Sequence, residues 1–356
     1  MNARTVRSIP AGDVELACIS VAAARPGPSV VVTAGVHGDE WTGTGAVELL
    51  AEVLQDALVA GTVHLYPSLN PAGRARGMRR VPDAGVTSPA EAPGEALRRG
   101  RAPPPSPEAH QIGSAEGIDL NRCFPGHASG NVADRLAHAI WTDLAVQSPD
   151  LVLDLHADSP WSVPYVLLDR AVALGGNRRR RLEDRALALA EASGWTVLHD
   201  FEDARYARAR LDRSLSGCAL NLLGVPAMTL EAGPRGVLEP SAITTMLAAL
   251  RRLLVALGNL APDPADVASA HPSRVGGGPW RREIGPLARA TGSVVACVPA
   301  GRIVARGDLL AEVRDEDGSV RARACAETEG FVVSHLEGRW VTVGSPVCTW
   351  ATREGA

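Results

Sequence analysis

The sequence contains no lysine, so all 36 of its basic residues are arginines. Without lysine the chain cannot form the Schiff base of a pyridoxal-phosphate enzyme, and it cannot carry a Ser–Lys dyad or the lysine of a nucleotide-binding P-loop. Basic residues are not in excess either, since the net charge is −4, whereas nucleic-acid-binding proteins usually present a basic surface. We therefore expect no nucleic-acid partner.

Long apolar runs and paired cysteines are also missing. No stretch approaches the roughly 20 consecutive apolar residues of a membrane span, and the first residues lack the apolar run of a signal peptide. The six cysteines are scattered without C-x-x-C spacing, which favours free, buried thiols over a disulfide framework. These features predict a cytoplasmic protein with no membrane partner.

Over the first 262 residues, short β-branched runs alternate with amphipathic helical patterns. This alternation favours an α/β fold in which a mixed sheet carries helices on both faces. The predicted strands cover 30–35, 63–70, 150–156 and 227–231, and the predicted helices cover 42–58, 131–145, 178–192 and 241–257.

Changes of composition along the chain predict its domain boundaries. We predict a large α/β domain over 1–262, which holds the chemical motifs described below and is interrupted at 83–116 by a proline-rich inserted loop. Residues 263–280 are rich in proline and glycine, which predicts a linker. From 281 to 356, short β-like runs alternate with glycine and aspartate turns, which predicts a small all-β barrel or sandwich domain.

The first chemical motif, His37-Gly38-Asp39-Glu40, falls where a predicted strand ends and a helix begins. Loops at such positions are where α/β sheets present functional groups. A histidine nitrogen and a carboxylate oxygen three residues apart at a turn can bind one metal ion. The alternative is a solvated histidine, followed by a glutamate that stabilises the first turn of the helix.

The second motif, Asp154-Leu155-His156, ends a predicted apolar strand. Strand periodicity places Asp154 and His156 on the same face of the sheet. His156 can then be a further metal ligand, with Asp154 nearby as an orienting group. The alternative is a histidine that merely ends the strand.

The third motif is GIDLNR, at 117–122. An arginine beside an amide side chain suits the binding of a carboxylate, because the planar guanidinium matches both carboxylate oxygens. Asn121 and Arg122 are therefore candidate substrate-binding residues. The alternative is a surface ion pair between Arg122 and Asp119.

The fourth motif is TLEAGP, at 229–234. Its glutamate, Glu231, ends an apolar strand, where partial burial would raise its pKa toward the range useful to a general base. The alternative is a carboxylate that pairs with an arginine, such as Arg235.

Four segments, in this order, carry a resemblance to a known family: GVHGDE (35–40), DLNR (119–122), LDLH (153–156) and TLEAG (229–233). They resemble the succinylglutamate desuccinylase/aspartoacylase family, which belongs to the zinc-carboxypeptidase-like superfamily. The resemblance covers nearly the whole chain, including EAGPRGVLEPSA (231–242) and a small C-terminal β-domain. It implies a zinc-carboxypeptidase-like α/β catalytic domain over 1–262.

The resemblance also implies a metal site and a general base. His37, Glu40 and His156 would bind one Zn²⁺ per chain and leave a position for water. Glu231 would take a proton from that water and deliver it to the leaving amine.

Further residues are implied by the same resemblance. Arg79 matches the family arginine that stabilises the developing oxyanion, with its neighbour Arg80 left open as the alternative. Asn121 and Arg122 match the pair that holds a substrate carboxylate, and Arg213 matches a substrate-side arginine.

Two features depart from the family pattern. The proline-rich segment 83–116 separates Arg79 from the DLNR motif, where the family usually has a short connection. No clear counterpart of the active-site tyrosine of related enzymes is present. Tyr165 and Tyr206 are the nearest candidates by position, and packing roles are the alternative for both.

The expected function is that of a zinc-dependent amidohydrolase, which cleaves the amide bond of an N-acyl amino acid or a related small carboxylate-bearing amide. Two alternatives stay open: a metallocarboxypeptidase acting on a peptide C-terminus, and a non-catalytic binding protein on the same fold. The expected partner is a small-molecule substrate or a short peptide, and assembly into a homo-oligomer is left open. We expect the C-terminal domain either to cover the catalytic entrance or to make an oligomer contact.

Overall fold

The computed structural model describes residues 2–82, 113–114, 117–263 and 274–355. The predicted proline-rich loop, apart from 113–114, lies outside the described residues. So does the segment 264–273 of the predicted linker.

The strands of the described residues follow one another along the chain. They are β1 (Ala3–Ala11), β2 (Val14–Ala22), β3 (Ser29–Ala34), β4 (Thr62–Tyr66), β5 (Gly113–Ser114), β6 (Gly117–Ile118), β7 (Leu151–Asp158), β8 (Tyr165–Leu168), β9 (Thr196–His199), β10 (Ala227–Pro234), β11 (Trp280–Ile284), β12 (Gly292–Ala296), β13 (Ile303–Val304), β14 (Leu309–Arg314), β15 (Val320–Cys325), β16 (Gly330–His335), β17 (Trp340–Val341) and β18 (Cys348–Arg353).

The predicted helices are all present, close to their predicted bounds, together with three shorter helices. The α-helices are α1 (Thr42–Ala57), α2 (Pro71–Ala75), α3 (Val132–Val146), α4 (Gly176–Ala192), α5 (Asp203–Arg208), α6 (Leu215–Cys218) and α7 (Pro240–Leu257). Single 3₁₀ turns cover Leu120–Arg122 and Leu211–Arg213, and a π-helical turn covers Ala219–Leu223.

One predicted strand is shorter than expected. The prediction covered 63–70, whereas β4 ends at Tyr66. Pro67 follows it and has no N–H group to continue the ladder. Asn70 then caps α2, because its side chain accepts a hydrogen bond from the Gly73 N–H.

A twelve-stranded sheet runs through the molecule in the order β1-β2-β4-β3-β7-β10-β8-β9-β11-β18-β16-β13. Its centre is parallel, since β3 pairs in parallel with β4 and β7, and β10 pairs in parallel with β7. The hairpin β1–β2 adds antiparallel strands at one edge, and β8 is antiparallel to β10. The predicted mixed α/β sheet is therefore confirmed.

Helices cover both faces of this sheet, as predicted. Alternate side chains of β3 enter different cores: Val30 and Val32 pack with residues of α1 and α7, whereas Val31 packs with residues of α3. In the same way Val152 of β7 and Ala227 of β10 face the α3 side. Since strand side chains alternate, His156 and Glu231 lie on this α3 side as well.

The C-terminal strands do not form one separate unit. Four of them, in the order β15-β14-β12-β17, build a small sheet of their own, but β11, β18, β16 and β13 extend the large sheet. The join is a parallel pair between β11 and β9, with Trp280 opposite Leu198 and Arg281 opposite His199. An unpaired edge of β9 would expose main-chain donors and acceptors, which β11 satisfies. The predicted domain boundaries stay predictions. The main-chain hydrogen bonds of the large sheet nevertheless join strands from both predicted domains.

A shared apolar core lies along this join. Trp280 is 1% exposed and packs edge-on against Phe331, with ring centroids 5.1 Å apart. Tyr165 and Leu198 of the preceding strands belong to the same buried cluster. The C-terminal strands are therefore held to the large sheet by side-chain packing as well as by hydrogen bonds.

The cysteines follow the prediction in part. All six are free, and Cys18, Cys123, Cys218 and Cys348 are buried. The expectation of burial is wrong for Cys297 and Cys325, which are exposed. Cys325 ends β15, an edge strand whose alternate residues face solvent.

Among the described helices, α7 has the length and apolar composition that a membrane span would need. Its residues Ile243, Met246, Leu250 and Leu253 are buried in the core beside α1. Such a helix is also typical of the core of a globular protein.

Candidate functional site

The ends of two neighbouring parallel strands bring three ligand-type side chains together. His37 and Glu40 lie in the turn that follows β3, and His156 lies near the end of β7. All three are at most 3% exposed. One donor atom from each, a nitrogen of either histidine and a carboxylate oxygen of Glu40, lies within 4.8 Å of the others.

The donor atoms face one another. His37 Nδ1 lies 3.0 Å from Glu40 Oε1, and His156 Nδ1 lies 2.8 Å from Glu40 Oε2. His37 Nδ1 is buried and has no aligned hydrogen-bond partner among the described residues. A buried lone pair aimed at a carboxylate costs free energy unless a cation lies between them. The three residues therefore fit a bound metal ion, which two nitrogens and one oxygen would hold with an open position.

Two further carboxylates contact the Nε2 atoms of the two imidazole rings, on the side away from Glu40. His37 Nε2 lies 3.3 Å from Asp119 Oδ1, and His156 Nε2 lies 2.8 Å from Asp154 Oδ2. Asp154 is itself fixed by the hydroxyl of Thr33, which donates a 2.7 Å hydrogen bond to Oδ1. A carboxylate behind a histidine fixes its tautomer, so that Nδ1 is left as the metal-binding atom.

The electrostatics of the cluster also favour a cation. Burial alone would raise the pKa of Glu40, but His37, His156 and Arg79 together hold that pKa well below its usual value. Burial opposes the charged form of His156, yet the carboxylates of Asp154 and Glu40 raise its pKa well above the usual value. The cluster thus keeps Glu40 ionised and favours positive charge beside it.

Glu231 lies beside this cluster. In the sheet it is opposite His156 of β7 on one side and opposite Tyr165 of β8 on the other. Its Oε2 is buried and has no hydrogen-bond partner among the described residues. Burial, reinforced by the negative charges of Glu40 and Asp158, raises the pKa of Glu231 to about 8. A cation bound nearby would lower that pKa, because it favours the ionised carboxylate.

A close backbone approach brings the Arg79 segment to the cluster. The Gly38 N–H donates a 3.2 Å hydrogen bond to the Arg79 carbonyl, and a Cβ on Gly38 would lie 2.2 Å from the carbonyl carbon of Gly73. Only glycine leaves that space. Arg79 Nη1 then bonds to Glu40 Oε1, whereas Arg80 Nη1 donates to the Gly117 carbonyl at 3.3 Å.

Arg235 is a second guanidinium at the cluster. Its Nε donates a 3.1 Å hydrogen bond to the Ala157 carbonyl and lies 3.4 Å from Glu40 Oε1. No ion pair joins it to Glu231 among the described residues, so the sequence-based alternative for that glutamate is not seen.

The DLNR motif lies over the same face of the sheet. The Asn121 amide is oriented by its Oδ1, which accepts a 2.8 Å hydrogen bond from the Leu215 N–H, and its Nδ2 lies 3.5 Å from His156 Nε2. Arg122 Nη1 donates to the Asn121 carbonyl at 2.6 Å, while its Nε is buried without a partner among the described residues. No ion pair within 4 Å joins Arg122 to Asp119 in this part of the chain. Arg122 is thus a guanidinium with unused donors.

Among the described residues, Arg213 makes no hydrogen bond or ion pair with the metal cluster, and its Nε is buried without a partner. Arg213 is one of the residues that line a cavity together with Phe124, Pro125 and Asn221. Its carbonyl accepts a 3.2 Å hydrogen bond from the Phe124 N–H, so the segment still supports the DLNR turn. The predicted substrate contact of Arg213 stays a prediction.

The two candidate tyrosines take different places. Tyr165 is buried opposite Glu231, with its hydroxyl 3.5 Å from Asp158 Oδ2. Tyr206 is completely buried and donates a 2.7 Å hydrogen bond to Asp169. Tyr165 is therefore the one that lies beside the cluster.

Two charged residues at the cluster, Asp119 and Arg235, have partners in the structure that differ from those expected from the sequence. From the sequence, Asp119 is a candidate partner of Arg122, and Arg235 is a candidate partner of Glu231. The structure instead places Asp119 behind His37 and Arg235 beside Glu40. The position of Asp119 in the DLNR motif was the available signal.

A family model matches the chain over residues 26–257: the catalytic domain of succinylglutamate desuccinylases and aspartoacylases. Among curated proteins, N-α-acetyl-L-2,4-diaminobutyric acid deacetylase of Halomonas elongata is 28% identical over 171 residues. That match covers 46% of this chain and 39% of the deacetylase, so it spans about two fifths of the relative's length.

Solved structures share the fold over the full chain. An aspartoacylase family protein of Mesorhizobium loti is 20% identical with a TM-score of 0.71, covering 100% of this chain and 96% of that one. The product-bound ectoine utilisation protein EutE (DoeB) of Ruegeria pomeroyi is 20% identical with a TM-score of 0.70, covering 99% and 98% of the two chains. At these identities the likeness concerns the fold.

Proposed function

Since the chain belongs to the succinylglutamate desuccinylase/aspartoacylase family, we propose that it is a zinc-dependent deacylase. It would hydrolyse the amide bond of an N-acyl amino acid or a related small carboxylate-bearing amide. One observation carries the proposal: His37, Glu40 and His156 converge on one point, and Glu231, whose Oε2 has no hydrogen-bond partner among the described residues, lies next to them. The name of the Halomonas relative, a deacetylase of an N-acetyl amino acid, supports this reaction class.

Zinc suits the proposed ligand set, because two imidazoles and one carboxylate with an open position are typical of catalytic zinc sites. A zinc ion bound there would polarise the scissile carbonyl and lower the pKa of a bound water. Asp119 and Asp154 would keep both imidazoles oriented for this purpose.

Glu231 would act as the general base and then as the general acid. Its Oε2 has no hydrogen-bond partner in the part of the chain that the structure describes, so it is available to take a proton from the attacking water. Once it holds the proton, the same group can deliver it to the leaving amine. Its pKa of about 8 in the buried site suits the proton-holding form, and a nearby cation would favour the carboxylate form.

Three polar side chains would orient the substrate. Arg79 reaches the cluster and would donate a hydrogen bond to the oxygen of the scissile carbonyl as negative charge develops there. Asn121 and Arg122 would bind the substrate carboxylate, since the guanidinium has donors that no described carboxylate uses.

The test combines metal analysis with an activity panel. Purified protein should contain one zinc per chain and hydrolyse at least one of the N-acetyl, N-succinyl or N-formyl amino acids in preference to blocked dipeptides. Replacing Glu231 by Gln should lower kcat by about 10²–10⁴-fold, because general acid–base catalysis contributes about that much, while zinc remains bound. Glu239→Gln, which changes an exposed glutamate nearby, is the matched control and should keep full activity.

The outcomes separate the alternatives. Preference for blocked dipeptides would favour a carboxypeptidase, and a protein that binds no zinc and hydrolyses nothing would favour a binding role. Equal activity of Glu231→Gln and the unchanged protein would contradict the proposed general base.

A further inference from the structure

The last residues of β10 connect the end of β7 to the turn that carries the candidate metal ligands. A bulge shifts the register of β10, and Pro234 then pairs with Asp158 of β7. Two residues later, the Gly236 N–H donates a 2.6 Å hydrogen bond to the carbonyl of Asp39, which lies in that turn. Between these two attachments stands Arg235. Its main chain is therefore fixed on both sides, next to the candidate metal site.

The side chain of Arg235 lies against the candidate ligands. Its Nε donates a 3.1 Å hydrogen bond to the carbonyl of Ala157, the residue after His156, and lies 3.4 Å from Glu40 Oε1. Because the guanidinium is rigid and small, its two Nη atoms lie within about 6 Å of that carboxylate oxygen. These contacts place the guanidinium inside the candidate site.

The two Nη atoms of Arg235 are free in the part of the chain that the structure describes. There Arg235 makes one hydrogen bond and one ion pair, both through Nε, and 40% of its side chain is exposed. Partial burial opposes the charge of this guanidinium, but the carboxylates of Glu40, Asp158 and Glu231 raise its pKa. Arg235 thus keeps its charge and holds two nitrogens in place as donors for a ligand.

A second guanidinium meets the same oxygen from another segment. Arg79 Nη1 bonds to Glu40 Oε1, so Arg79 and Arg235 share one carboxylate. A metal ion bound by Glu40 would compete for its negative charge, and neither guanidinium would then be fully neutralised by it. Arg79 has a place in the proposed reaction as the donor to the scissile carbonyl, whereas no step of that reaction uses Arg235.

We propose that Arg235 is a catalytic residue, whose Nη atoms donate hydrogen bonds to the oxygen of the scissile carbonyl. When the water oxygen attacks the carbonyl carbon, the π electron pair of the C=O bond moves onto that oxygen, and the water gives a proton to Glu231. Arg235 stabilises the resulting negative charge together with Arg79, and neither guanidinium gives up a proton. The C=O bond forms again as the C–N bond breaks, and Glu231 delivers its proton to the amine. This assignment rests on the proposed function, since the charge arises during amide hydrolysis.

Arg135 offers a matched control. It is an exposed residue of α3, and its Nη1 also donates a hydrogen bond to a main-chain carbonyl, that of Gly130, at 2.7 Å. Among the described residues it makes no hydrogen bond or ion pair with the metal cluster. Arg135→Gln therefore repeats the chemical change of Arg235→Gln outside the candidate site.

The experiment measures kcat, KM and zinc content of the zinc-loaded protein on each N-acyl amino acid that it hydrolyses. Arg235→Gln should lower kcat by about 10²–10³-fold on every such substrate, the usual cost of removing one oxyanion donor. KM should stay nearly unchanged, because the lost hydrogen bond strengthens only as charge develops in the transition state. Arg235→Lys should recover part of the rate, and Arg135→Gln should keep all of it.

Three results would overturn the assignment. An unchanged kcat of Arg235→Gln excludes a contact with the developing charge, and a rise in KM alone makes Arg235 a residue for ground-state binding. A lower kcat that accompanies loss of zinc or of thermal stability, in both Arg235→Gln and Arg235→Lys, makes it a structural residue. Should only the Gln variant fail to fold, Arg235→Lys decides: lower kcat with full zinc supports the assignment, and unchanged kcat refutes it.

A binding measurement keeps this test apart from that of the proposed function. Methylphosphonate presents a tetrahedral oxyanion, as the intermediate of amide hydrolysis does, whereas acetate is planar. In calorimetry on the zinc-loaded protein, Arg235→Gln should weaken methylphosphonate binding by about 10–100-fold, the cost of a charge-assisted hydrogen bond, and acetate binding by less.

If the unchanged protein hydrolyses no N-acyl amino acid, the deacylase proposal fails and the calorimetry alone decides about Arg235. Weaker binding of methylphosphonate in Arg235→Gln but not in Arg135→Gln then supports its role as an oxyanion donor. Equal binding by all three proteins, or no binding by the unchanged one, refutes it.

Discussion

The catalytic part of the chain and its C-terminal strands bury different kinds of side chain. Up to residue 263, buried histidines, carboxylates and amides gather where parallel strands end, as His37, Glu40, Asp154 and His156 do. In the described residues from 274 onward, the buried polar residues are Glu312, Ser334, His335 and Thr352. None of these four belongs to the His37–Glu40–His156 cluster.

This difference separates the residues that would serve catalysis from those that mainly stabilise the fold. At the ends of the parallel strands, buried charged groups lower the stability of the fold. A bound metal ion and substrate would compensate for the loss of hydration of these groups. The C-terminal strands contribute apolar packing, through Trp280 and Phe331, and an ion pair between Arg282 and the buried Asp200. Substitutions of the cluster residues should change metal binding and catalysis, whereas substitutions in the apolar core of the C-terminal strands should change stability.

The largest effect should come from removing a metal ligand. His156→Ala takes away one of three converging donors, so we expect loss of stoichiometric zinc and hydrolysis at background level. Zinc content by atomic spectroscopy and activity on the best substrate check this. His64→Ala, which changes a buried histidine paired with Ser20, should keep its zinc. Retention of zinc by His156→Ala would contradict the site.

The next effect concerns stability rather than catalysis. Trp280→Ala should destabilise the protein by about 3–5 kcal/mol, since it empties a fully buried site in the core shared by the two regions. Denaturant unfolding measures the change, and Trp340→Ala, at a position 49% exposed, should cost far less. Zinc should stay bound in both variants. If Trp280→Ala removed zinc without loss of stability, the division between the regions would break down.

A smaller effect should follow from loosening a ligand without removing it. Asp154→Asn replaces the carboxylate behind His156 and should weaken zinc binding by about 10–100-fold. A competition titration with a chelator measures the affinity. Asp150→Asn changes an exposed residue just before the same strand and should leave the affinity unchanged. Equal affinities of the two variants would refute the orienting role of Asp154.

The smallest effect should be a change in the pH dependence of stability. Burial, with the nearby charge of Asp200, raises the pKa of Asp169 to about 7. The folded state therefore holds this proton more tightly than the unfolded chain does, and stability falls as the pH rises from the ordinary aspartate range toward 7. Asp169→Asn stays neutral and should avoid that loss, gaining about 1–2 kcal/mol more at pH 6.5 than at pH 5.

Unfolding curves at the two pH values test this prediction. Asp184→Asn changes an exposed aspartate of α4 and should show no such difference. A gain by Asp169→Asn that is the same at both pH values would mean that its carboxylate is not the titrating group.

Much of the site was determined by local sequence. Strands β3, β7 and β10 and the four long helices follow from periodicity, because a strand or helix buried on one face must repeat its apolar residues at a fixed spacing. The chemical residues stand directly at the ends of those strands, which is why His37, Glu40, His156 and Glu231 could be named from the chain itself. Parallel strands in one sheet then bring their ends together.

Other features were decided by tertiary structure. The sequence left Arg79 and Arg80 as alternatives, and the close approach of Gly38 to the 73–79 segment directs Arg79, not Arg80, to Glu40. The pairing of β11 with β9 could not be read from composition, because any exposed strand edge offers the same main-chain groups. For the same reason the sequence gives no sign that Arg282 meets Asp200, 82 residues earlier in the chain. Sequence patterns determine which face of an element is buried, whereas the partner it meets depends on how distant segments pack.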